Sequence, residues 1–194
     1  MIGVWTNQYP FNEGFTEDNQ KQNAREIWGY FQSQGWTLEA VSGMLGNMQV
    51  ESYINPAQWQ LNTYIENPDP NNKVGFGIVQ WTPWQKFANW AGDSWRTNYS
   101  QQPRRIQYEL EVDRSSPDSL QWLSQGIMSF YEFSQSTQTP AQLAHVFFTC
   151  YERGTVYGDR DAYANNWYQY LGGVGPLSPR PPIWLLFKLK ERFS

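Results

Sequence analysis

The sequence predicts one α+β domain in which helices dominate and a small β-hairpin lobe stands beside them. Three observations support this fold class. Apolar residues recur at helical spacing through most of residues 1–171, a glycine-containing stretch at residues 74–81 interrupts that pattern, and a chain of 194 residues is long enough to bury a core. We therefore assign the domain to residues 1–171.

The first two predicted helices have the most regular apolar spacing. In the first, the spaced residues are Ala24, Ile27, Trp28 and Phe31, with Gly35 as the stop. In the second, which Thr37 is expected to cap, they are Val41, Met44, Leu45 and Met48. This spacing places Glu51 near the helix end, at the edge of the buried stripe and not on the solvent face.

The next segment changes character and predicts the hairpin. Residues 67–72 read Asn-Pro-Asp-Pro-Asn-Asn, which is a strong turn cluster. We expect residues 59–65 and 74–81 to pair across it. Gly75 and Gly77 lie in the second of these strands, and glycines there indicate close approach by a backbone or a ligand.

The rest of the domain is predicted to be helical. Residues 82–85 (Thr-Pro-Trp-Gln) and 139–142 (Thr-Pro-Ala-Gln) both read as capping boxes that open helices. Further helices are expected at residues 106–110, 120–131 and 162–171.

Composition excludes several classes of function. A net charge of −4 argues against nucleic acid as a partner, since its binders carry a basic face. The single Cys150 excludes an internal disulfide and cysteine-based metal clusters, and with one His145 we expect no metal and no cofactor. We interpret both residues as core packing. The first residues lack the basic start of a signal peptide, and no apolar run is long enough to span a bilayer.

A carboxylate at the edge of a buried stripe suits acid catalysis on a sugar chain. A glycosidic oxygen leaves only once it is protonated, so the donor must hold its proton near neutral pH. Partial burial and the helix C-terminus would both favour the protonated form of Glu51. The 11 Trp and 12 Tyr offer flat faces for sugar rings, although any one of them serves a core equally well. For Glu51 the bland alternative is an ordinary surface glutamate.

Two further residues are candidates for the same chemistry. The Gln80 amide can donate to and accept from sugar hydroxyls, and the alternative is a solvated strand residue. Glu152 is either a second carboxylate or half of a surface ion pair with Arg153.

The motifs carry a family resemblance. Residues 46–52 (Gly-Asn-Met-Gln-Val-Glu-Ser) followed by 75–82 (Gly-Phe-Gly-Ile-Val-Gln-Trp-Thr) resemble the phage tail lysozyme family, over roughly residues 20–170. They are more distantly similar to goose-type lysozymes and lytic transglycosylases. The resemblance implies a lysozyme-like fold, Glu51 as catalytic acid, and a groove lined by Ser52, Gln80, Trp81 and Tyr151. Glu152 stands where those relatives carry an asparagine, which makes it a candidate second catalytic carboxylate.

The implied reaction is cleavage of the β-1,4 bond between N-acetylmuramic acid and N-acetylglucosamine in bacterial peptidoglycan. Hydrolysis with inversion needs a second carboxylate about 6.5–9.5 Å from the acid, and Glu152, Glu66 and Asp69 are the candidates. Without one, a sugar hydroxyl attacks and a lytic transglycosylase gives 1,6-anhydro products. The competing class is a glycan-binding or structural phage tail component without catalysis.

The C-terminal residues form a separate unit. Residues 172–182 read as a Gly/Pro-rich linker, and residues 183–194 as a short apolar-basic tail. The tail is expected to pack on the domain or to dock onto a neighbouring chain such as another phage tail protein. Membrane-surface contact is the remaining alternative. The resemblance implies a location in the virion tail or at the bacterial wall.

Overall fold

The computed structural model describes residues 15–60, 65–115 and 121–173, and these are predominantly helical. The α-helices within them are α1 (Glu17–Ser33), α2 (Leu38–Ser52), α3 (Gln85–Ala91), α4 (Gln101–Ser115), α5 (Phe130–Gln135), α6 (Pro140–Phe147) and α7 (Arg160–Gly173). A 3₁₀ turn (Gly92–Ser94) follows α3, and a π-helical turn (Phe148–Glu152) continues α6.

Helix α2 is the centre of the domain and packs mainly against α7 and α6. Its residues from Ala40 to Gln49 are all buried, because neighbours cover it on several sides. Thr37 caps it as predicted, accepting a hydrogen bond from the Ala40 amide at 3.2 Å. The capping box of Thr139 at the start of α6 is also confirmed.

Two glycines allow this close packing. A Cβ atom at Gly43 would lie 2.8 Å from the backbone carbon of Leu143 in α6, and one at Gly46 would lie 2.5 Å from the carbonyl oxygen of Arg160 in α7. Neither position has room for a side chain. Gly46 thus sets how near the start of α7 comes to α2.

We expect Gly46→Ala to lower the free energy of unfolding by about 1–3 kcal/mol, because the new methyl group must push α7 away. The matched control is Gly172→Ala, where a Cβ would meet only the Leu38 side chain at 3.5 Å. A helical Gly→Ala change without a clash is neutral or stabilising by up to about 1 kcal/mol. Thermal melting of both variants measures the difference, and a Gly46→Ala protein that melts no lower than the wild type contradicts the packing argument.

The predicted β-hairpin is not confirmed. The described residues pair only through single bridges, Trp59 with Phe76 and Phe76 with Trp81. Gly77 (φ 86°) and Gln80 (φ 49°) turn the chain back between the bridged residues Phe76 and Trp81, so residues 74–81 form a folded loop and not a strand. Residues 61–64 lie outside the described part.

Two other helix predictions are wrong. Within the described part of residues 120–131, a helix begins only at Phe130, where Ser129 supplies the capping box. Leu123 and Ile127 are about half exposed, so their spacing did not mark a buried helix face. Thr82 does not cap α3, because its hydroxyl donates to the Gln80 carbonyl oxygen at 2.9 Å and α3 begins at Gln85.

The predicted linker begins later than expected, because α7 continues through Gly173. The remaining linker residues and the apolar-basic tail at residues 183–194 lie outside the described residues. Among the described helices, none has both the length and the apolar character to cross a membrane.

Candidate active site

A groove of about 440 Å³ opens beside the C-terminal end of α2. The last turn of α2, the loop at residues 58–60, the folded loop at residues 75–82 and the turn at residues 152–154 form its walls. The lining residues are Val50, Glu51, Tyr53, Gln58, Trp59, Gln60, Gly75, Gln80, Thr82, Glu152 and Gly154. Three of the predicted site residues, Glu51, Gln80 and Glu152, therefore meet in one groove.

The backbone is strained around this groove. Tyr53 and Ile54, directly after α2, both have positive φ, and so do Gln80 and Arg153. Positive φ is unfavourable for side chains with a Cβ, and most of all for a β-branched residue such as Ile54. Strained backbone of this kind is typical of functional sites, because the surrounding structure must hold it in place.

Glu51 lies in the last turn of α2, and its side chain is 24% exposed. Arg160 Nη2 donates to its Oε1 in an ion pair. Glu51 is therefore neither a free surface glutamate nor a fully buried one. Its carboxylate faces the groove with one oxygen held from behind.

Arg160 is fixed by several contacts and is 3% exposed. Its Nη1 donates to the carbonyl oxygens of Val156, at 3.0 Å, and Tyr157. Its guanidinium lies 4.7 Å from the centre of the Phe148 ring. The sequence analysis missed this residue, because no spacing pattern links the start of α7 to the end of α2, 109 residues earlier.

Glu152 ends the π-helical turn. Its Oε1 is buried and has no hydrogen-bond partner among the described residues. Burial raises the pKa of Glu152 well above its usual value, and the neighbouring Glu51 carboxylate raises it further, while Arg160 and Arg153 oppose the shift. The predicted surface ion pair with Arg153 does not form, since Arg153 donates to the carbonyl oxygens of Gln121 and Cys150.

Gln80 contributes to the groove wall between Gly75 and Thr82. Its Nε2 donates to the carbonyl oxygens of Gln58 at 3.0 Å and Gly77 at 2.9 Å. The amide therefore ties together two of the loops that form the wall. Its carbonyl end is the part left to accept from a ligand.

The other three predicted binding residues lie behind the wall. Ser52 is buried and donates to the Ile78 carbonyl oxygen at 2.9 Å. Trp81 donates to Glu109 Oε1 at 3.2 Å, and the Tyr151 hydroxyl donates to Glu109 Oε2. All three are less than 2% exposed, so they support the groove without lining it.

Glu109 joins these supports and was missed by the sequence analysis. It is 1% exposed, lies in α4, and also accepts from Arg105 Nε at 2.9 Å. Burial raises its pKa, and Arg105 and the hydrogen bonds from Tyr151 and Trp81 oppose this. The only sequence signal was the Arg105–Glu109 pair at helical spacing on an otherwise apolar face.

The remaining candidates lie elsewhere. Glu66 is exposed, and the Asp69 carboxylate accepts from the Asn71 amide at 2.8 Å in its own turn, so neither lines the groove. Cys150 is in the core as predicted, and burial raises the pKa of its thiol to about 11. The interpretation of His145 as a core residue is wrong, because it is exposed, with its ring 5.0 Å from that of Tyr157.

A helical domain whose groove presents two carboxylates among amide and aromatic side chains has the features of a glycan-cleaving protein. The profile of the phage tail lysozyme family matches residues 22–171, and the chain belongs to this family. The resemblance seen in the motifs is thereby confirmed, and it indicates a peptidoglycan-acting role.

One curated relative is Morphogenesis protein 1 of Bacillus phage B103. The two are 38% identical over 157 residues, which is 79% of this chain and 40% of the relative. The chain thus spans well under half of the relative's length.

Proposed function

We propose that this domain is a muramidase that hydrolyses the β-1,4 bond between N-acetylmuramic acid and N-acetylglucosamine. The observation that carries the proposal is the meeting of Glu51 and Glu152 in one groove, in a chain of the phage tail lysozyme family. A glycosidase needs two such groups, one to protonate the leaving oxygen and one to stabilise or activate the other reactant.

The surrounding residues fit a sugar ligand. Tyr53 is 42% exposed and stands beside Glu51 at the groove, where its ring offers a face for a sugar. We assign Gln80 to contact with sugar hydroxyls. Ser52, Trp81 and Tyr151 act through the wall that they support, and not through direct contact with the substrate.

Hydrolysis is favoured over transglycosylation by the second carboxylate. A carboxylate can take a proton from water, whereas the amide that the distant relatives carry at this position cannot. We therefore expect mass spectrometry of digested walls to show muropeptides with reducing ends. Anhydro-muropeptides as the main products would instead identify a lytic transglycosylase, and the water-activating role would be lost.

The printed name of the B103 relative favours a second candidate, a structural component of the phage particle without catalysis. The two candidates differ in a turbidity assay on purified cell walls. A muramidase clears the walls and its Glu51→Gln variant does not, whereas a structural component leaves them intact in both forms. For either function we propose that the protein is virion-associated and contacts peptidoglycan.

A further inference from the structure

We propose that Arg160 makes the two groove carboxylates unequal, so that Glu51 is the carboxylate and Glu152 holds the proton in the substrate-free protein. This inference rests on the proposed function for its catalytic meaning. It reverses the roles that the motifs assign, in which Glu51 donates the proton and Glu152 activates water.

The contacts of Glu51 are those of a charged group. The buried Arg160 guanidinium donates directly to its Oε1. An arginine is always charged in proteins, and a buried charge is costly unless it is paired. A neutral Glu51 would leave Arg160 without its anion, so the pair is stable with Glu51 ionised.

The contacts of Glu152 are those of a neutral group. Its Oε1 is buried with no donor among the described residues. Burying an ionised oxygen without hydrogen bonds costs several kcal/mol more than burying a neutral one, so the group keeps its proton instead. The raised pKa of Glu152 agrees with this, since burial and the Glu51 charge are its two main causes.

The other charged groups near the pair do not reverse this order. Arg153 favours ionisation of Glu152 and Glu109 opposes it. The Glu109 carboxylate is occupied by Arg105, Tyr151 and Trp81.

On the side of α7, Asp161 accepts from the Tyr157 hydroxyl, and the exposed Asp159 precedes Arg160. Only Arg160 donates to Glu51 among the described residues.

The arrangement defines a sequence of proton movements. Glu152 gives its proton to the glycosidic oxygen as the bond to the anomeric carbon breaks. The Glu51 carboxylate stabilises the positive charge on the sugar and takes a proton from the water that adds to that carbon. The two groups then return to their starting states by exchange with solvent.

Substrates with different leaving groups test which carboxyl is the acid. An aryl glycoside of a chito-oligosaccharide releases a phenol that needs little protonation, whereas wall glycan releases a sugar alcohol that needs it. We expect Glu152→Gln to lose about 10²–10⁴-fold on wall glycan and far less on the aryl glycoside. Glu51→Gln should lose activity on both. If Glu51→Gln is the variant that retains activity on the aryl glycoside, the assignment is overturned.

The role of Arg160 has its own measurement. Arg160→Met removes a positive charge beside Glu51, so the acid limb of the kcat/KM profile should move to higher pH, while Arg160→Lys keeps the wild-type limb. Equal losses in both variants with an unshifted profile would mean that Arg160 acts only as a structural support.

A result independent of activity separates this inference from the proposed function. If the wild type cleaves neither substrate, the function fails, but the proton on Glu152 is still measurable. The folded protein then holds a proton that the unfolded chain releases above the ordinary value of 4.5, so wild-type stability falls as pH rises through the raised pKa of Glu152.

Glu152→Gln removes that loss. Its melting temperature relative to the wild type should rise steadily from pH 4.5 to about pH 8. The exposed Glu66→Gln control should show a flat difference. A flat difference for Glu152→Gln as well would overturn the assignment.

Discussion

Glu51→Gln is expected to abolish wall lysis while the fold stays intact. Glutamine has nearly the same shape and can still accept from Arg160, but it cannot carry the negative charge or move a proton. Loss of a group that acts on the reacting atoms costs about 10²–10⁴-fold in rate. Turbidity loss of purified walls measures the effect, with circular dichroism and melting curves confirming the fold.

The matched control for this change is Glu66→Gln, an exposed glutamate outside the groove. It should lyse walls at the wild-type rate. Retention of more than a few per cent of activity by a folded Glu51→Gln protein would remove Glu51 from the reaction, whichever of the two carboxyls is the acid.

Glu109→Ala is expected to give the largest loss of stability. The change leaves the charge of Arg105 buried and unpaired, and it also removes the acceptor of Tyr151 and Trp81. Removing one partner of a buried ion pair costs about 3–5 kcal/mol. Chemical denaturation measures this as a drop in the free energy of unfolding.

Glu111→Ala on the same helix is the control, because Glu111 is exposed and accepts only from Gln107 at 3.2 Å among the contacts described. Its effect should stay within about 0.5 kcal/mol. If Glu109→Ala costs no more than Glu111→Ala, the Glu109 network does not hold the groove wall. Loss of lysis in a folded Glu109→Ala protein would show that the wall must be rigid for activity.

The sequence determined the features that depend on local spacing. The cap at Thr37 and the apolar repeat of residues 41–48 fix where α2 begins and which face it buries, so Glu51 had to lie at the helix end. Thr139 likewise fixed the start of α6. The motifs around Glu51 and Gln80 also predicted the family, because residue identity at fixed offsets is a local property of the chain.

The tertiary structure decided what depends on distant partners. Glycines at positions 75 and 77 suggested a strand, but positive φ angles and bridges within residues 76–81 made a folded loop that no local pattern distinguishes from a hairpin. Ser52, Trp81 and Tyr151 belong to the motifs, yet buried acceptors on Ile78 and Glu109 hold them behind the wall.

Arg160 is the strongest case of this kind. It reaches Glu51 because Gly46 lets α7 approach α2, and this contact is invisible in the sequence because 109 residues separate the two charges. The sequence therefore determined which carboxylates are present and that Glu51 ends a helix. Only the packing of α7 and the π-helical turn decided their environments, because burial and ion pairing are properties of the folded chain.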